Sequence, residues 1–232
     1  MKTYFVLLML FFSGWMFAQE RQMIEANSGE DLSSKVSTNM RYILPEFTDG
    51  QVFFKNSFLS TGKLNYNVLV GEMQFLENDE VRALETKDIA VVKINDRLFF
   101  PYRGNEFSEE LLSAYTYKLR VRSKGSISPH AKKGAYGTSS SSTSIISYNS
   151  VGGQYGQIYS LSVEEDVLVS VRNFYYLVGE NGKYLQIANI KTFTKQFPAF
   201  RKQIEAFAKE NKIQFDNVDD LKNLLVYCSE LK

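Results

Sequence analysis

The stretch 167–200, VLVSVRNFYYLVGENGKYLQIANIKTFTKQFPAF, decides how this chain folds. Its first part is dense in β-branched and aromatic residues, which suit a pleated, half-buried strand. Glu180-Asn181-Gly182-Lys183 interrupts that run. Asn-Gly predicts a two-residue type I′ hairpin there, because both residues accept a positive φ. Beyond Ala188 the apolar rhythm lengthens from two to about 3.6 residues. Ile190, Phe193 and Phe197 fall on one helical face, and Pro198 opens a new segment. Phe200, Ile204, Phe207 and Ala208 repeat the spacing of a core-facing helix. That helix is expected to stop at Asn211-Lys212, with Asn211 in the left-handed exit conformation. Asp216 or Asn217 then caps a last helix, with Asp219 and Asp220 set against its N-terminal dipole.

Upstream the rhythm is strand-like. RYILPEF (41–47), QVFFK (51–55), KLNYNVLV (63–70), EMQFL (72–76), VRALE (81–85), DIAVVKI (88–94) and RLFFPY (97–102) are separated by polar punctuation. Short runs at this spacing predict an antiparallel meander. In KLNYNVLV, Asn65 and Asn67 alternate with Leu64, Tyr66 and Val68, so the asparagines are expected to face outward. The fold class read from the chain is therefore α+β. An antiparallel sheet or partly closed barrel-like meander over 41–188 precedes a three-helix segment over 189–232 packed on it, since amphipathic helices must bury their stripes.

The chain opens with MKTYFVLLMLFFSGWMFAQE. One cation, an apolar run from Thr3 to Phe12, and small residues up to Ala18 form the layout of a secretory leader over 1–18. It is too short for a comfortable membrane helix. No transmembrane helix is expected in the remainder. Residues 19–40 read as a polar, poorly ordered lead. Lys and Arg total 27 against 26 Asp and Glu, and Lys2 is the only charged residue of the leader. The balanced remainder gives no bulk attraction to nucleic acid or to anionic membrane, although local patches remain open. Cys228 is the only cysteine, so no internal disulfide forms, and its place on the stripe of Leu221, Leu224, Leu225 and Leu231 predicts a buried thiol.

Within LLSAYTYKLRVRSKG (111–125), Tyr117, Leu119 and Val121 alternate with Lys118, Arg120, Arg122 and Lys124. One face of this strand is apolar and the other carries four cations. The strand is expected to end at Gly125, where a mobile Gly/Ser segment (125–154) begins. The cationic face is a candidate site for anionic lipid or glycan, or for an acidic envelope protein. A solvated face that discourages edge pairing is the plainer alternative.

AKKGAYGTSSSSTS (131–144) lacks the spacing and the lysine of a phosphate loop. It reads as a solvated excursion between adjacent strands. Tyr136, Tyr148 and Tyr155, set among Ser and Gly, are candidate binding residues, because that mixture suits adaptable recognition loops. His130 is the only histidine and lies beside two lysines, with no G-x-S-x-G elbow anywhere. One His and one Cys do not supply a zinc site, and neither Glu77–Glu80 nor Glu164–Asp166 has the spacing of a calcium loop. No cofactor is expected.

LPEFTDGQVFFKN, LNYNVLVGEMQFLEND, KKGAYGTSSSSTSI and FPAFRKQIEAFAKENKIQFDNVDDLKNLL together resemble a group of uncharacterised exported proteins of the Bacteroidota. The resemblance runs over most of the chain beyond the leader. It implies export to the envelope of a Gram-negative cell, in the periplasm or at the periphery of the outer membrane. It implies no activity and no functional residues. The expected function is that of a non-catalytic binding or structural module. The alternative is a hydrolase-type enzyme using Glu164, Glu165 and Asp166, or His130, which requires burial to drive paired pKa values apart.

Overall fold

The computed structural model describes residues 21–26, 35–114, 116–129 and 165–231. The expected leader, His130, Glu164, the hydroxyl-rich stretch, Tyr136, Tyr148 and Tyr155 lie outside the described residues. The elements are β1 (Arg21–Ala26), α1 (Thr38–Arg41), β2 (Thr48–Phe54), β3 (Leu59–Asn67), β4 (Glu72–Glu77), β5 (Glu80–Ala83), β6 (Ile89–Ile94), β7 (Arg97–Pro101), β8 (Phe107–Ala114), β9 (Tyr117–Pro129), β10 (Glu165–Val178) and β11 (Tyr184–Gln186). After them come α2 (Ile190–Thr194), a 3-10 turn (Pro198–Phe200), α3 (Arg201–Glu210) and α4 (Val218–Glu230).

All the strands join one antiparallel sheet in the order β1-β10-β9-β8-β7-β6-β2-β3-β4-β5. β10 is long enough to hold two partners along one edge, with β1 on Glu165–Ser170 and β11 on Tyr176–Val178. Apolar clusters line the inner face of the sheet, with the polar pair Ser123 and Asn173 between them. Leu119, Val121, Tyr175 and Leu177 lie under Phe193, Ile204, Leu221 and Leu224 of the helices. Val52, Leu64, Tyr66, Met73, Val92, Phe99 and Phe107 form a second cluster. Ile24, Val36, Met40 and Val169 form a third.

The sheet curls around the second cluster but is not closed, so the barrel-like alternative gives way to an open sheet. Where the curl is tightest, the turn after β3 reaches β9, and the Gly125 N–H donates to the Val68 carbonyl at 2.7 Å. A Cβ on Gly125 would stand 2.8 Å from Leu69 Cα. This glycine therefore marks a close approach of backbones, and β9 continues through it to Pro129 instead of ending there.

Other expectations are corrected by the same tertiary logic. RYILPEF is not a strand: α1 ends at Arg41, and beyond it Tyr42 makes only an isolated bridge to Asn67. The segment 42–46 lies over the asparagines of β3, which are consequently buried and not solvated. Asn65 accepts from the N–H of Leu44 and of Tyr66 and donates to the carbonyls of Leu44 and Glu46. Every polar atom of that side chain is satisfied, as burial demands. Part of the polar lead is ordered too, as β1 and as α1 with Met40 buried beneath it.

The Asn-Gly turn differs from its prediction. Only Gly182 has a positive φ (71°), and the Gly182 N–H donates to the Gly179 carbonyl, which closes a longer loop before Tyr184 pairs Val178. The two-residue turn with both central φ values positive is Asn78-Asp79. At the end of α3, Lys212 and not Asn211 takes the left-handed conformation (φ 51°). The N–H groups of Lys212 and Ile213 bond back to Lys209 and Ala208 in a Schellman motif. Asn217 caps α4, accepting from Asp219 and Asp220, as the sequence indicates.

A candidate binding face on the outer side of the sheet

Alternation along β9 sends Leu119 and Val121 inward, leaving Lys118, Arg120, Arg122 and Lys124 on the outer face. The register decides what they meet. Glu110 of β8 and Tyr176 of β10 flank Arg120, Phe174 flanks Arg122, and Arg172 stands opposite Lys124. The cations that sequence groups together are thus divided by their neighbours.

Arg120 is enclosed, with only 7% of its surface exposed. Its Nε and Nη2 donate to Glu110 Oε2 at 3.2 and 3.0 Å, and its Nη1 donates to the Tyr184 hydroxyl at 2.6 Å. Its guanidinium carbon lies 3.7 Å from the centre of the Phe100 ring. The Tyr184 hydroxyl also shares a hydrogen bond with Ser108 Oγ. Arg122 is tied to Glu106 at 3.0 Å and sits between the rings of Tyr102 and Phe174, with its Nε buried and without a hydrogen-bond partner among the described residues. Tyr102, Tyr176 and Tyr184 pack together with centroids 4.9–5.7 Å apart, Tyr184 edge-on to the other two and those two tilted against each other. Burial, helped by the hydrogen bond with Tyr102 and opposed by Arg122, pushes the Tyr176 hydroxyl up to about 12.

The outer face is therefore a second, small core of rings and guanidinium groups held by two carboxylates. Lys118 and Lys124 sit at its margin, each 4.0 Å from a carboxylate already engaged by an arginine, and both stay about half exposed. Arg172 and Arg103 are exposed beside them. Neither makes an ion pair among the described residues. The arrangement can offer cations over an aromatic floor to an anionic group.

Glu106, Glu110, Arg172 and the rings of Phe100, Tyr102, Phe174, Tyr176 and Tyr184 were not singled out from sequence. Their signal was there as period-two pairs, Phe100 with Tyr102 and Phe174 with Tyr176, but it acquires meaning only with the register. Glu165 and Asp166 lie on β10 where it pairs β1. The Cys228 thiol is buried, and burial pushes it up to about 12. A depression of about 380 Å³ between α3 and α4 is lined by Phe207, Ile213, Tyr227, Asp220 and Glu230, and its Asp220 is occupied in accepting from the Gln214 N–H. Among the described residues no group of three or more His, Cys, Asp or Glu is placed to hold a metal, and no helix is long and apolar enough to cross a membrane. No family model, no curated protein and no solved structure matches the chain.

Proposed function

We propose that this is an exported, non-catalytic binding module of the Gram-negative envelope, of the Bacteroidota group it resembles. In this reading its β-rich body and three-helix C-terminal segment act as one platform. The outer face of β7–β11 recognises an anionic group on an envelope protein, glycan or lipid. The observation that carries the reading is the surplus of cations over an aromatic floor: Lys118, Lys124, Arg172 and Arg103 surround two carboxylates, Glu106 and Glu110, that Arg120 and Arg122 already engage. Surfaces that combine Arg and Tyr around a desolvated centre are typical of recognition sites. The leader pattern of residues 1–18 supports export.

The informative probe is the rim, because removing Arg120 or Arg122 would leave a carboxylate unpaired and disturb the sheet itself. Lys124→Gln with Arg172→Gln removes two exposed charges, each worth about 1 kcal/mol against an anionic surface. Retention of the purified chain on an immobilised soluble polyanionic glycan is expected to weaken by roughly tenfold or more at low salt. The wild-type binding should also fall as salt rises. Equal retention of the two proteins would remove this face from the proposal.

A further inference from the structure

We propose that the β2–β3 hairpin tip is a membrane-docking element, which inserts Phe58 and Leu59 into the boundary between headgroups and acyl chains of a phospholipid surface. Three large apolar side chains are exposed among the described residues, and two of them are these neighbours, at 61% and 45%. Every residue from Lys55 to Thr61 is exposed, so the tip projects from the body. Among the described residues Phe58 touches one ring, that of Phe54, with centroids 5.6 Å apart. A projecting apolar tip cannot cradle a peptide, but it can enter a soft apolar medium.

Insertion is costly when backbone polar groups lose water without replacement. Here four of the N–H groups from Phe54 to Phe58 are satisfied within the protein. The Phe54 N–H donates to the Phe58 carbonyl at 2.9 Å and the Ser57 N–H to the Phe54 carbonyl at 3.0 Å. The Phe58 N–H donates to Asn56 Oδ1 at 3.1 Å, and the Lys55 N–H to the Asp88 carbonyl at 2.8 Å. Ser57 accepts a φ of 66° to close this arrangement. Lys55 Nζ donates to the Lys87 backbone carbonyl at 2.7 Å, and both lysines are exposed. Neither makes an ion pair among the described residues. Glu85 and Asp88 on the same loop offset their charge, so apolar insertion dominates over surface attraction. The inference rests on the envelope location proposed above only for the choice of bilayer.

Trp15 is the only tryptophan. A Trp15→Phe background therefore makes Phe58→Trp the sole indole reporter. With vesicles of phosphatidylethanolamine and phosphatidylglycerol, its emission is expected to shift to the blue and to be quenched by brominated acyl chains. Both signals should persist at high salt. In the same background without Phe58→Trp, Phe58→Ser with Leu59→Ser should lower vesicle co-sedimentation by about tenfold or more, given the transfer free energy of one or two large apolar side chains. At high salt, where attraction of the outer face to phosphatidylglycerol is screened, Lys124→Gln with Arg172→Gln should leave the indole signals unchanged, so failure of the outer-face reading and failure of this one are distinguishable. Unquenched emission, or a blue shift that appears without vesicles as protein concentration and mass rise, would overturn the assignment. The second outcome would point to contact between copies through the short free edge of β3.

Discussion

Arg120 shows how one side chain can be cationic in sequence and structural in place. Its charge is satisfied by Glu110, its plane by Phe100 and its remaining donor by Tyr184. Glu110 is itself largely buried. Arg120→Met is therefore expected to lower the free energy of unfolding by about 3 kcal/mol, because it strands a desolvated carboxylate. Lys118→Met, at an exposed site, should cost less than about 1 kcal/mol. Urea titrations of the two variants compare them directly, and Arg120→Met combined with Glu110→Gln should recover part of the loss. Similar midpoints for the two single variants would mean that the outer core contributes little. None of this was legible in the sequence: alternation put Arg120 on the correct face, but the partner that neutralises it is fixed by pairing between strands.

At the scale of elements, the apolar periods were legible and the turns were not. Most strands fall on runs that the sequence marks, but β8 (FSEELLSA) has no two-residue rhythm and buries Ser108 and Glu109 beside Phe107, while the break at Ala188 falls where the helices begin. Turn chemistry states what a residue tolerates, while the register of the strands sets what it must do. Asn181 tolerates a positive φ but is not asked for one, whereas Lys212 is asked for one because α3 must turn sharply to return Ile213 to the core. Lys212→Gly should therefore stabilise the protein by about 1 kcal/mol, relieving the left-handed strain of a residue with a Cβ. A raised thermal midpoint with an unchanged cooperative slope would confirm it, and a lowered one would mean that the lysine side chain matters at this cap. The sheet also manages its edges: β5 is four residues long and carries Glu80 and Arg82, which discourages pairing with other chains.

At the scale of the whole molecule, stability should fall at alkaline pH in a defined window. Burial raises Tyr66 from 10.0 to about 12 and Cys228 from 9.0 to about 12. Between those unfolded and folded values the folded chain holds protons that the unfolded chain has released, so stability is complete below pH 9 and declines toward pH 12. The loss should reach several kcal/mol, at about 1.4 kcal/mol for each unit of raised pKa. Urea midpoints measured from pH 8 to 11.5 should decline steadily. Cys228 should resist thiol reagents at pH 8 until urea unfolds the chain. A flat profile up to pH 11 would contradict the burial of both groups.

The position of α4 in the chain has one last consequence. The apolar undersides of β8, β9 and β10 are finished long before the helix that covers them is synthesised. Until that segment emerges from the ribosome or the export channel, the nascent sheet carries an oily underside open to water and to its neighbours. A product clipped ahead of Val218 would thus expose that underside to water and be prone to aggregate.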